Sequence, residues 1–364
     1  MRTAPAMIDS ITPNNSTFTL YFAVPGNINS LTGGYGYDRE LIKELKSAGI
    51  HVQLLSLSAE FPAPGSTALV DAATIFANLP DGAIVIADGL AFGVMDEIAT
   101  RESQRLTLVA LCHHPLALET GISAKQSNAL KISETRALAA AKAVIVTSAM
   151  TGRIIARDFA VAPEKIILAC PGTRAQVFAP GNHPIPQLLT VATLTKRKGH
   201  DVLINALARI AHLHWHARFV GGAGFDPLWV AHLQQLVQQH NLEQRITFVG
   251  NVDDISIEFS NADAFVLPSH FEGYGMAFAE ALSFGLPVIA TNAGAVPDLV
   301  PANAGILISP GDVDALTKAL EQLLTNPDYR QQLQAGAQQA ATTLPTWADC
   351  ANSIIDLIIR LRNV

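Results

Sequence analysis

"AFVLPSHFEGYGMAFAEALSFGLPVIAT", Ala264 to Thr291, decides the fold. An apolar run ends at "LPS", a loop "HFEGYG" follows, and a helical pattern runs from Met276 to Phe284. Gly285 is a natural helix stop, and "PVIAT" opens the next apolar run. Strand, helix and strand with short joins make a βαβ unit. Strands that are apolar throughout imply a parallel sheet covered on both faces. Such sheets bind ligands beyond the carboxyl ends of their strands, which is where the loop lies. Glu272 sits in that loop and Glu280 two turns into the helix. Gly273 and Gly275 let the backbone turn and a ligand approach. The helix start offers free N–H groups for an anion or for sugar hydroxyls.

The same alternation extends in both directions. Upstream, strands are predicted at "TFTLYFAVP", "HVQLLSL", "AIVIAD", "LTLVALC", "AVIVTS" and "IILAC". "GYDRELIKELKSAG" between the first two is a helix with Leu41, Leu45 and Ala48 on one face. The pattern breaks at "PGTRAQVFAPGNHPIPQ", residues 171–187, which reads as an interdomain linker. It then restarts with "LLTVATL", "ARFVGG", "RITFVG", "AFVLPS", "PVIAT" and "GILIS". The fold class is therefore α/β, with two Rossmann-like doubly wound domains facing a cleft. The first spans 1–175 and the second 188–345. A final helix, 346–364, is long enough to pack back on the first domain.

A chain of 364 residues has room for two cores. Its net charge of −7, without a long basic run, argues against a nucleic-acid partner and allows at most peripheral membrane contact. The start lacks the apolar core of a signal peptide, and no apolar run approaches a membrane span. Cys112, Cys170 and Cys350 are scattered without metal-ligand spacing and read as buried, reduced thiols of a cytoplasmic protein.

The spacing of Glu272 and Glu280 excludes a glycosidase pair. Eight helical residues rise roughly 12 Å, whereas retaining glycosidases need about 5–5.5 Å and inverting ones about 6.5–9.5 Å. Two carboxylates strung along one segment suit two ends of one long ligand. The segment, with "KG" after one strand, "GG" after the next and "FVG" in a third, resembles the retaining GT-B glycosyltransferases of glycosyltransferase family four. The resemblance covers nearly the whole chain and is strongest over 188–325.

It implies a nucleotide-diphosphate sugar on the second domain and an acceptor on the first. Glu272 would meet the donor sugar and Glu280 the ribose, with backbone N–H groups of Gly273, Tyr274, Gly275 and Met276 between them. In "TKRKGH", Lys198 matches the family lysine at the diphosphate. The family's upstream arginine is replaced by Thr193, and Arg197 stands in for its charge. Gly222 lies in a glycine turn, and Asn251 and Val252 match the turn that meets the base. Gly33 and Gly34, read as a loop ahead of a helix, match the glycine loop beside the donor phosphates. His113 matches the histidine near the donor sugar. His114 is the more ordinary packed histidine, since adjacent side chains on extended chain point apart. Asp88 and Glu119 are acceptor-side candidates.

The implied reaction is hexosyl transfer with retention, from a UDP-sugar ahead of a GDP-sugar, to an acceptor hydroxyl. Neither a cofactor nor a metal is expected, because adjacent Asp253 and Asp254 suit a helix start better than a spaced metal motif. Three readings stay open: a dinucleotide-dependent oxidoreductase or epimerase, a phosphorylase-like enzyme, and a nucleotide-sugar-binding protein without catalysis.

Overall fold

The computed structural model describes residues 18–119, 121–224 and 226–363. The first sheet contains β1 (Thr19–Pro25), β2 (His51–Leu57), β3 (Ile84–Asp88), β4 (Thr107–Cys112), β5 (Ala143–Val146) and β6 (Ile166–Leu168). The second contains β7 (Gln187–Val191), β8 (His216–Val220), β9 (Ile246–Gly250), β10 (Ala264–Leu267), β11 (Val288–Thr291) and β12 (Gly305–Ile308). All twelve predicted strands are present, and every pairing is parallel.

Side-chain alternation divides each sheet between two cores. On β4, Leu108, Ala110 and Cys112 pack on one side and Val109 and Leu111 on the other. On β10, Ala264 and Val266 oppose Phe265 and Leu267. Strands buried on both faces are thus apolar at every position, as the sequence pattern required.

The strand orders locate the site. The first sheet runs β2-β1-β3-β4-β5-β6, so its order reverses between β1 and β3. The second runs β12-β11-β10-β7-β8-β9 and reverses between β7 and β10. Helices leave opposite faces of the sheet at such a switch point and open a crevice there. The segments after β7 and β10 carry Lys198 and Glu272. The segment after β1 carries Gly34, and β3 itself ends on Asp88.

Between the sheets, residues 169–186 form no helix or strand. The chain crosses twice at the hinge, where Thr173 N donates to Pro345 O at 2.8 Å. The helix Trp347–Arg362 then lies on the first domain. Trp347, Cys350, Ile354 and Ile358 join the core that contains Leu20, Phe22 and Leu41. Trp347 meets the Tyr37 ring edge-on at 5.7 Å. Trp347→Ala should cost about 3–5 kcal/mol, the usual penalty for truncating a buried aromatic, read as a lower denaturant midpoint by circular dichroism.

Two local expectations are corrected. Gly33 and Gly34 are the first residues of the helix Gly33–Ser47, because the Thr32 side chain accepts from Tyr35 N and starts the helix before them. Cys170 is only half-buried, since it follows the last strand at the domain boundary rather than sitting inside a sheet.

Candidate active site

On the second domain, the turn after β7 ends in Lys198 and Gly199. Gly199 has φ +66°, and a Cβ there would stand 2.2 Å from the Pro268 carbonyl oxygen. The turn therefore lies directly on the strand end that leads to Glu272. Lys198 Nζ meets Glu272 Oε1 at 2.7 Å, and Arg197 Nη1 lies 3.5 Å from Oε2. Arg197 also donates to the Phe271 carbonyl at 2.9 Å and reaches Glu119 at 3.3 Å. Both members of the lysine pair are largely buried, at 15% and 7% side-chain exposure. Burial pushes the Lys198 ammonium downward against the pull of Glu272. Burial pushes Glu272 upward, but Lys198 and Arg197 outweigh it and hold the carboxyl below its ordinary range.

Glu280 lies on the helix Met276–Ser283 and is half-buried. Burial pushes its carboxyl up to about 7. No described residue donates to that carboxyl, in contrast to Glu272. Gly222 and Asn251 are neighbours: a Cβ on Gly222 would lie 3.2 Å from the Asn251 side-chain oxygen. Val252 is partly buried against the second domain's core. Asp254 accepts from Ser256 N at 2.9 Å just ahead of the short helix Ser256–Ser260, but the capping position is Ile255, which makes no side-chain cap, so the aspartates do not cap the helix as expected.

The first domain contributes a buried polar group. His113 Nε2 lies 3.2 Å from Asp38 Oδ1 and 3.4 Å from Asp88 Oδ2. Asp88 Oδ1 accepts from Leu90 N at 2.8 Å, so this residue both makes its turn and faces the histidine. The Tyr37 ring meets the imidazole edge-on at 5.1 Å. A Cβ on Gly34 would lie 3.6 Å from His113 Cδ2, which places the first helical turn beside the imidazole. Burial opposes a proton on His113, but its hydrogen bonds to the Asp38 and Asp88 carboxylates raise it to about 10. Among the described residues, Asp38, Asp88 and His113 form the one group with donor atoms close enough to share a cation, all within 4.8 Å.

The two domains meet at the loop that carries Glu272. A Cβ on Gly273 would stand 2.2 Å from the His113 carbonyl oxygen. Thr151 Oγ1 donates to the Gly273 carbonyl at 3.2 Å, and His114 packs against Phe271 with ring centroids 4.8 Å apart. Met276 packs with the first domain's core, near Gly36. Tyr274 points instead into a cavity of about 540 Å³ on the hinge side, lined also by Ser148, Cys170, Pro297, Gln339 and Leu344.

The structure brings Arg197, Lys198 and Glu272 together, with Gly273 against His113 and Gly34 beside the imidazole; Gly222 and Asn251 pair with each other, and the Tyr274 side chain turns to the hinge side. Sequence reading missed Asp38, Thr151 and Phe271. Asp38 had the plainest signal, as a carboxylate one turn beyond the glycine pair that opens its helix.

Residues 176–340 match the family model of the glycosyl transferases group 1. The match takes in the whole second sheet, including Lys198, Glu272 and Glu280. A D-inositol 3-phosphate glycosyltransferase of Corynebacterium diphtheriae is 25% identical over 251 residues, 63% of this chain and 58% of that protein. The O-antigen chain mannosyltransferase B of Escherichia coli is 32% identical over 133 residues, 36% of this chain and 33% of that protein. Both matches span less than two thirds of the relative's own length. Among solved structures, a sucrose-phosphate synthase from Thermosynechococcus elongatus superposes with a TM-score of 0.81 at 22% identity. It covers 95% of this chain and 99% of that one. Anabaena HepE in complex with UDP and glucose gives 0.74 at 18% identity, covering 93% and 98%. The fold is GT-B. Among the described residues, no helix is long and apolar enough to cross a membrane.

Proposed function

We propose that the protein is a retaining glycosyltransferase that moves a hexosyl group from a nucleotide-diphosphate sugar to an acceptor hydroxyl, without a metal. The observation that carries this reading is the Lys198–Glu272 pair at the second domain's switch point, opposite His113. With a donor bound, Lys198 and Arg197 turn to the diphosphate, where compact positive charge is needed. Glu272, released from the lysine, accepts from sugar hydroxyls. Glu280, which has no donor of its own, takes the ribose diol. The bond from the anomeric carbon to the phosphate oxygen breaks, and a bond to the acceptor oxygen forms on the same face. The acceptor's proton leaves with the diphosphate, whose charge is stabilised electrostatically.

Support for the base is divided. HepE holds UDP, whereas a Mycobacterium tuberculosis relative, 29% identical over 188 residues, is described as GDP-mannose-dependent. We place UDP first. Calorimetry with UDP and GDP, followed by mass detection of product from the matching sugar nucleotides, tests both halves of the reading. Glu280→Gln should weaken nucleotide binding by about tenfold or more, since a hydrogen bond to a charged group contributes about 1.5–3 kcal/mol. Unchanged affinity would remove Glu280 from the ribose site. Absence of product with every sugar nucleotide would leave a binding protein.

A further inference from the structure

We infer that Asp38 is a positioning residue that fixes His113 as a permanent cation on the acceptor-side wall of the cleft. Asp38 is fully buried, and its Oδ1 lies 3.2 Å from His113 Nε2. Its other oxygen, Oδ2, is buried without a hydrogen-bond partner. A buried carboxylate with one bare oxygen is costly unless a charge beside it compensates. The helix Gly33–Ser47 puts this residue one turn beyond the glycine pair, beneath an imidazole that keeps 22% of its side-chain surface open to the cleft. Asp38 itself cannot touch substrate and acts only through the histidine.

The groups that face His113 leave no rival for the proton. Asp38 and the Tyr37 ring come from one helix, and Asp88 from the end of β3 at 3.4 Å. The hydroxyl of Tyr35, on the same helix, is committed to the Pro25 carbonyl at 2.8 Å. Thr147 donates to the His113 backbone oxygen and not to the ring. No cation is among them. Two carboxylates on one ring nitrogen bind a proton there rather than repel it. Burial, and beyond it the neighbouring Asp88, raise Asp38 to about 6 against the pull of the histidine.

The sign follows from a raised basic group. The charge is present at low and neutral pH and is lost only as pH rises through about 10. Its catalytic use rests on the transferase reading: a fixed positive charge beside Gly34 would face the departing diphosphate. The charge state itself does not depend on that reading.

The test is an NMR titration of the His113 ring in the full chain, beside pH profiles of glycosyl transfer. Wild type should hold the imidazolium through pH 8. Asp38→Asn should lower the midpoint by about two pH units or more, in the range an ion-pair partner commands. Its kcat should then fall roughly tenfold between pH 6 and pH 9 while wild type stays nearly flat. A purely structural role would lower the rate equally at all pH values. A wild-type midpoint near the ordinary histidine value overturns the inference, whether or not Asp38→Asn folds. So does an unchanged midpoint in the variant. Confirmed ring titration with no transfer activity would count against the transferase reading alone.

Discussion

Lys198→Ala and Glu272→Gln should each lower kcat by about 10²–10³, the range seen when one preorganised electrostatic group is removed from a transition state. The two act on one ligand from one ion pair, 2.7 Å apart. The double variant should therefore be scarcely worse than the poorer single one, because residues that act as a unit are not additive. The same substitutions report on stability, with a different pattern. Lys198→Ala leaves a carboxylate of 7% exposure with only Arg197, at 3.5 Å, to answer it. Removing one partner of a buried pair costs about 3–5 kcal/mol, and the remaining guanidinium holds the loss to the lower end. Saturating nucleotide should not rescue Lys198→Ala, because the phosphates bring more negative charge to the same place. Steady-state kinetics with the best donor, beside urea titrations, read both quantities. Near-wild-type kcat in both variants would sink the assignment of this pair to the donor.

The architecture was legible because periodicity reports burial. Strands covered on both faces are apolar at every position, and all twelve could be marked. Strand order was not legible, since apolar content does not record which strand lies beside which. That order is what explains the site. The reversals between β1 and β3 and between β7 and β10 put four strand ends at two crevices. Glu272, Lys198 and His113 were found because each follows a predicted strand end at a position that matches the motif of the family the chain resembles. Asp38 escaped because its only signature in sequence is a helical aspartate among charged neighbours, where a solvated face is the ordinary outcome. Tertiary packing alone buried it against His113. The glycine pair was misplaced for a local reason: glycines suggest a loop, but Thr32 caps the helix ahead of them.

Gly273→Ala should cost about 10²-fold in kcat while leaving nucleotide affinity within about threefold, since a misplacement of about 1 Å at the reacting centre costs that much. A Cβ at this position would stand 2.2 Å from the His113 carbonyl oxygen, well inside contact distance. Both partners are backbone, so neither side chain can rotate away. Either the loop retreats from the first domain or the domains part. In both cases Thr151 loses its 3.2 Å bond to the Gly273 carbonyl. Phe271, two residues earlier, is then drawn from His114, and the Arg197–Glu119 contact across the cleft lengthens. Lys198 and Glu272 lie on the same side of the break and keep each other, so the nucleotide still has its site. Only its alignment with His113 and the acceptor is lost. Kinetics with UDP calorimetry separate the two effects, and small-angle scattering should show a larger radius of gyration if the domains part. Equal losses of affinity and rate would place the defect inside the second domain and refute a role for Gly273 as the contact that lets the cleft close.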